Sequence, residues 1–362
     1  MKIRRVLIVN TFGIGDVLFT TPLIHALNQH NPDIFIGYVA NRRTAGVLSN
    51  HPLLDRVYVY ERDEFKEVSR ASRWKYFKKI KDFIAEIKAN RYEMVLDLSL
   101  NRNFGFLSAL AGIHERVGLD FKNRGTFLTK KVPIKGYEGK HVVEYYLDLL
   151  RQIGIQPQAP KMEIPLTVPD LDFARDLFEQ RQLSVGTVVA LVPGGGASWG
   201  KDAAFKRWPL PRFAKLADKL VANFKAKVIL LGNKQEEELC RTLQNLVPEA
   251  INLCGKTSIA QSAAVFGRCD AVIANDGGPL HMAVAAGART VSIFGPVDPQ
   301  VYGPYPPDGH RVVTANVACR PCYRRFRRAQ CDHVSCLSLI GVEDVYKAAE
   351  DILNSEAKAP GS

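Results

Sequence analysis

The sequence predicts an α/β protein made of two doubly wound parallel sheets. Three observations carry that expectation. Short apolar runs alternate with amphipathic stretches along the whole chain, the pattern of repeated β–α units. Glycine turns follow apolar runs in both halves, at Asn10-Thr-Phe-Gly-Ile-Gly-Asp16 and at Asp276-Gly277-Gly278, and ligands of such sheets sit beyond the carboxyl ends of the strands. Pro157, Pro160, Pro165 and Pro169 interrupt the periodicity near the midpoint and mark a linker. At 362 residues the chain exceeds one ordinary core. The expected division is 1–170 and 171–340, with a last helix in 341–356 offered to the first domain.

Each element follows from its run. In the first half, apolar runs bounded by turn residues predict strands at 4–9, 34–40, 56–60, 93–98 and 115–118. Helical spacing between them predicts helices at 17–30, 42–49, 72–90, 103–112 and 140–153. The second half restarts with Thr187-Val-Val-Ala-Leu-Val192. Strands follow at 227–231, 250–253, 271–274 and 290–294, with helices at 209–223, 234–247, 258–267, 279–287 and 342–354.

No uninterrupted stretch of 18 apolar residues exists, so no membrane-spanning helix is expected. Arg5-Val-Leu-Ile-Val9 imitates the start of a signal peptide, but Asn10, Gly13, Gly15 and Asp16 break it. The expectation is a mature cytoplasmic protein. A formal charge of +12 points to an anionic partner. Residues 62–91 concentrate Lys and Arg beside Phe77, Ile80, Ile84 and Ile87 at helical spacing. Such a helix either lies on an acidic membrane face or packs its stripe on its own domain. No nucleic-acid motif is present, and nucleic acid is not an expected partner.

Gly13-Ile-Gly15 invites a dinucleotide fingerprint, yet Leu18 stands where its third glycine belongs and Asp16 would face the pyrophosphate. No Lys-Ser/Thr pair follows, so it is not a P-loop either. Asp16 reads as a base awaiting a hydroxyl, or as a helix cap. In the second half, Val192-Pro-Gly-Gly-Gly-Ala-Ser198 and Lys201-Asp-Ala-Ala-Phe-Lys-Arg-Trp-Pro209 form a long loop suited to a diphosphate, or a structural one. Trp208-Pro209 fits a staple with proline in the first helical position. The turn at Gly277 opens a helix whose first N–H groups favour anions, and His281 one turn later donates to a phosphate or packs. Cys319, Cys322, Cys331 and Cys336 are spaced for a structural zinc or iron, with free thiols and disulfides as alternatives. Arg320, Arg324, Arg325, Arg327 and Arg328 around them are expected to meet phosphate or carboxylate.

In this order, Gly-Ile-Gly-Asp16-Val-Leu-Phe-Thr-Thr-Pro, Lys206-Arg-Trp-Pro209, Asn275-Asp-Gly-Gly-Pro-Leu-His281 and Phe294-Gly-Pro-Val-Asp-Pro299 resemble the family 9 glycosyltransferases, the lipopolysaccharide ADP-heptose heptosyltransferases. The resemblance implies a GT-B fold, acceptor bound mainly by the first half, and sugar nucleotide by the second. It implies inverting transfer of heptose from ADP-heptose to an anionic lipid-linked core oligosaccharide at the cytoplasmic membrane face, without a catalytic metal. Asp16 then looks like the general base and Lys206 like the donor-phosphate lysine. Ser198, Asp276, Gly277, Gly278 and His281 match donor contacts, and Glu236 the acidic residue on the ribose. Gly15, Arg42, Arg43 and Arg102 are the acceptor candidates. The cysteine loop is similar to one in many members, and an iron site of that kind is associated with autotransporter heptosyltransferases. A protein acceptor and a non-catalytic nucleotide-sugar-binding protein are the alternatives.

Overall fold

The structure is a computed structural model describing residues 3–158, 161–195 and 197–355, apart from the side chains of residues 197 and 198. The chain divides into two compact units, Met1–Tyr137 with Val142–Pro160, and Glu138–His141 with Lys161–Ser362.

The first unit holds strands β1 (Arg5–Val9), β2 (Phe35–Ala40), β3 (Arg56–Val59), β4 (Met94–Asp97), β5 (Glu115–Phe121) and β6 (Lys130–Ile134). Its helices are α1 (Ile14–Leu18), α2 (Thr21–His30), α3 (Arg42–Leu48), α4 (Arg62–Ala71), α5 (Arg73–Ala89), α6 (Arg102–Leu110) and α7 (Val142–Arg151). The strands pair in the order β3-β2-β1-β4-β5-β6, all parallel, with Val9 opposite both Val39 and Asp97. Central β1 and β4 are apolar on both sides because helices cover both faces. The order reverses direction between β1 and β4, leaving a crevice at their carboxyl ends.

Two differences from the sequence reading have local causes. The helix expected at 17–30 breaks into α1 and α2 because Pro22 has no N–H for the Leu18 carbonyl; the Thr21 hydroxyl donates to that carbonyl instead, at 2.8 Å. Strand β6 was not expected, since an edge strand reading Lys-Lys-Val-Pro-Ile lacks a buried apolar run. Lysines and a proline at that position also discourage pairing with another chain.

The second unit repeats the plan. Helix α8 (Val168–Gln180) precedes β7 (Val188–Val192); then come α9 (Leu210–Phe224), β8 (Lys227–Leu230), α10 (Glu237–Leu246), β9 (Ile251–Asn252), α11 (Ile259–Arg268), β10 (Ala271–Asn275), α12 (Gly278–Ala285), β11 (Thr290–Phe294), α13 (Pro299–Tyr302), β12 (Arg311–Thr314), the short hairpin β13 (Tyr323–Arg324) and β14 (Arg327–Arg328), α14 (Ser335–Ser338) and α15 (Val342–Asn354). The strand order is β12-β11-β10-β7-β8-β9, again parallel, with the reversal between β7 and β10.

Helix α8, which the sequence reading did not include, begins at the end of the proline stretch read as linker. Its Pro169 is in the first turn, and Asp170 accepts the Thr167 N–H at 3.0 Å, so the proline starts a helix rather than ending order. Pro209 caps α9 instead of entering it, with Pro211 taking the first turn. Val345, Tyr346, Ala349 and Ile352 of α15 join the core of the second unit beside Trp208, Phe213 and Leu216. That stripe is complementary to α9, so burial there removes its apolar surface from water.

Candidate functional site

In the second unit, two loops flank the crevice between β7 and β10. Asn275 ends β10 and ties them together. Its amide donates to the carbonyls of Pro193 and Gly194 at 2.9 and 3.0 Å, and its Oδ1 accepts the Trp208 N–H at 3.0 Å. Glu236, 3% exposed, anchors the glycine loop from the other side. One carboxylate oxygen accepts the Gly195 N–H at 2.7 Å and the other the Asn233 N–H at 2.9 Å. A Cβ at 194 would stand 2.2 Å from Glu236 Oε1, and Gly195 has φ +113°, so both positions need glycine.

Lys206 and Asp276 form a buried ion pair, Nζ to Oδ2 at 2.7 Å, with 8% and 3% exposure. The Trp199 ring covers the ammonium at 4.4 Å and itself packs against Tyr323 at 5.0 Å. Past Asp276, Gly277 caps α12 and Gly278 and Pro279 form its first turn, all three half-buried. His281 is buried one turn on. Desolvation, then the neighbouring His141 and Lys206, hold its pKa down from 6.5 to about 3. It is therefore neutral at physiological pH and contributes an N–H or a lone pair, not a charge. Because the folded form resists this proton, its contribution to stability is full above pH 6.5 and is lost as pH falls toward about 3. Lys206, Asp276, Gly277, Gly278 and His281 are thus adjacent on one strand-to-helix junction and its facing loop. The side chain of Ser198 lies outside the described residues.

The hairpin β13–β14 braces this site. The N–H groups of Cys322 and Tyr323 both donate to the Pro296 carbonyl at 3.0 Å, in the turn after β11. Arg320 was expected to meet anions; its guanidinium instead donates to the carbonyls of Gly295, Val297 and Ala315. Arg328 lies over Phe205 at 3.6 Å. Replacing Tyr323 or Trp199 by alanine is expected to free Lys206 from its aromatic cover. The loss is about 1 kcal/mol, read by calorimetry as roughly a fivefold rise in donor Kd with a smaller change in kcat.

The four cysteines of this loop are the candidate metal site. A tetrahedral thiolate set with Zn–S of about 2.3 Å brings sulfurs within about 4 Å of each other. Among the described residues no three of these sulfurs lie within 4.8 Å of one another. Cys336 is committed to the core, and burial pushes its thiol up to about 11. The fold gathers the thiols, Cys319, Cys322 and Cys331 each lying close enough to Cys336 to raise its thiol further, but it does not bring three of the sulfurs to ligand spacing.

In the first unit, Asp16 is the third residue of α1, and its Oδ2 accepts the Gly13 N–H at 3.1 Å. The capping role weighed from sequence is therefore present. Asn10, fully buried at the end of β1, holds the same turn by donating to the Asp16 carbonyl and accepting the Phe12 N–H, each at 3.1 Å. Gly15 is half-buried in α1. Arg42 and Arg43 are exposed at the start of α3 after β2, and Arg102 at the start of α6 after β4. Arg42 pairs with Glu64 at 3.1 Å. All these candidates share the carboxyl edge of one sheet.

Asp97, at the end of β4, was not singled out from sequence. Burial raises its pKa from 3.8 to about 6, against two bonds from Ser99 at 2.9 and 2.6 Å. Raised above its unfolded value, it favours folding only while protonated, and that advantage is lost as pH rises through about 6. Asp97→Asn keeps the acceptor for Ser99 and removes the buried charge. Thermal unfolding should rise by about 2–4 °C at pH 8 and scarcely change at pH 4.

A family model described as glycosyltransferase family 9 (heptosyltransferase) matches residues 80–333. A lipooligosaccharide heptosyltransferase 2 of Campylobacter jejuni subsp. jejuni serotype O:2 is 26% identical over 356 residues, covering 94% of this chain and 96% of its own. The crystal structure of a family 9 glycosyl transferase from Veillonella parvula superposes with a TM-score of 0.80 at 23% identity, covering 98% and 99%. The E. coli heptosyltransferase WaaC with ADP-2-deoxy-2-fluoro heptose gives 0.73 at 21%, covering 96% and 99%. These superpositions establish the GT-B fold. The chain belongs to glycosyltransferase family 9, the heptosyltransferases, and is a glycosyltransferase.

Proposed function

We propose that this enzyme transfers a heptose from ADP-heptose, with inversion, to a hydroxyl of a lipid-linked lipopolysaccharide inner-core oligosaccharide at the cytoplasmic membrane face. The observation that carries the reading is the Lys206–Asp276 pair beside the half-buried glycine start of α12, at the strand-order reversal of the second sheet. The relatives named for lipooligosaccharide synthesis, and the solved relative holding an ADP-heptose analogue, support the sugar and the base.

In the reaction, the acceptor oxygen bonds to the anomeric carbon on the face opposite the diphosphate. The carbon–oxygen bond to ADP breaks and ADP departs with that electron pair. The acceptor proton passes to the Asp16 carboxylate. A carboxylate is a weak base toward an alcohol. That suffices when bond breaking runs ahead, because an oxocarbenium-like centre acidifies the attacking hydroxyl. The larger demand is the charge growing on the diphosphate. Lys206 supplies a cation and α12 its open N–H groups, while neutral His281 adds a hydrogen bond. Arg42, Arg43 and Arg102 meet acidic groups of the acceptor, and Glu236 holds the glycine loop against the adenosine while offering its carboxylate to the ribose.

A thermal-shift panel of ADP-, GDP- and UDP-sugars, followed by mass analysis of the acceptor, tests this reading. ADP-heptose alone should raise the unfolding temperature strongly, and the lipid-linked oligosaccharide should gain one heptose. Stabilisation by another nucleotide sugar, or transfer to protein only, rejects it.

A further inference from the structure

Helix α5 has two unlike faces. On the inner one, Phe83 and Ile87 are buried, and Ile80 and Ile84 pack against the core of the first unit. Phe77, which the sequence pattern assigns to that stripe, is not on it: it is 58% exposed, and Trp74 is 79% exposed. Counting from Trp74, exposed Phe77, Lys78, Lys81, Ala85 and Lys88 fall at i+3, i+4, i+7, i+11 and i+14, a single line along the helix. Asp82 and Glu86 lie off that line. Arg70 and Arg73 are exposed where it begins.

The lysines of this line are uncommitted. Lys79 turns away to Glu64 at 2.6 Å and covers Phe65. Among the described residues, Lys78, Lys81 and Lys88 make no ion pair. Single exposed apolar residues are ordinary. Two large aromatic rings one turn apart, followed by unpaired lysines and no acid, match the requirements of a lipid interface. There the rings sit at the headgroup boundary while ammonium groups meet anionic phosphates. A second copy of the chain is a poor occupant, since it would set this positive line against itself.

We propose that the outer face of α5 docks on an anionic lipid bilayer, with Trp74 and Phe77 entering the headgroup boundary and Lys78, Lys81 and Lys88 meeting lipid phosphates. The docking rests on the function proposed above only for its purpose, which is to bring the enzyme to a lipid-linked acceptor.

The test is co-sedimentation of the full chain with vesicles of phosphatidylcholine, alone or with about one-third phosphatidylglycerol. Binding should require the anionic lipid and weaken with salt. W74S/F77S and K78E/K81E should each weaken it about tenfold or more. Their unfolding temperatures should stay at the wild-type value, and transfer to a short soluble acceptor should be unchanged. Equal binding to both vesicles, no binding, or wild-type binding by either variant overturns the proposal. So does a change of oligomeric state in the variants, which would identify the face as a contact between copies. If vesicle binding behaves as expected but no heptose reaches a lipid-linked acceptor, the function reading fails and the docking stands.

Discussion

Asp16→Ala should lower turnover by about 10²–10⁴-fold, the usual contribution of a positioned general base. Affinity for ADP-heptose without acceptor should change by no more than about threefold, since the phosphate elements lie in the other unit. The alanine variant alone is ambiguous, because Asp16 also accepts the Gly13 N–H and its loss weakens the α1 cap by about 1 kcal/mol. Asp16→Asn separates the roles. The amide oxygen still accepts from Gly13, so the unfolding temperature should stay near wild type, while the group no longer takes a proton. Turnover should fall as far as in the alanine variant. An asparagine enzyme with wild-type turnover would reduce Asp16 to a helix cap and remove it from the chemistry.

Lys206→Met should produce the second large effect, in two measurements that come apart. Asp276 would be left as a buried, unpaired carboxylate, and breaking such a pair destabilises by about 3–5 kcal/mol. Transfer should fall about 10²–10³-fold through loss of the cation at the diphosphate. The double variant Lys206→Met with Asp276→Asn removes the stranded charge. Most of the stability should return, as happens when a buried pair is replaced as a unit, and activity should not. Recovery of both would mean that Lys206 serves the fold alone.

How much was legible follows from what each signal measures. Strands at the centre of both sheets were readable because burial on two faces leaves an unbroken apolar run, as in Val188–Val192 and Ala271–Asn275. Of the four edge strands, β3 and β9 were expected and β6 and β12 were not, because β6 and β12 are mostly exposed and carry no apolar run bounded by turn residues. Asp276, Gly277 and His281 were recognisable from the strand–glycine–helix junction, and the structure sets Lys206 against Asp276. Asn275 lay inside the same motif, yet its role as the hub between Pro193, Gly194 and Trp208 depends on contacts 67 to 82 positions apart in sequence. Glu236 was singled out by resemblance alone, and its hold on Gly195 was invisible for the same reason. The cysteine spacing suggested a metal, and the fold does bring the four thiols into one neighbourhood, but spacing does not report how closely the chain carries each sulfur. Phe77 shows the complementary error: helical spacing alone does not say which side of a helix the core occupies.

Amide hydrogen exchange with and without ADP gives the most direct view of how the work is shared between the two units. Bound ADP should slow exchange at residues 194–195 and in the segment 276–282, and leave residues 11–17 at their rates in the ligand-free protein. Slowing centred on residues 11–17, with the glycine start of α12 unaffected, would place the nucleotide on the first sheet and contradict the assignment of Lys206 and Asp16 alike.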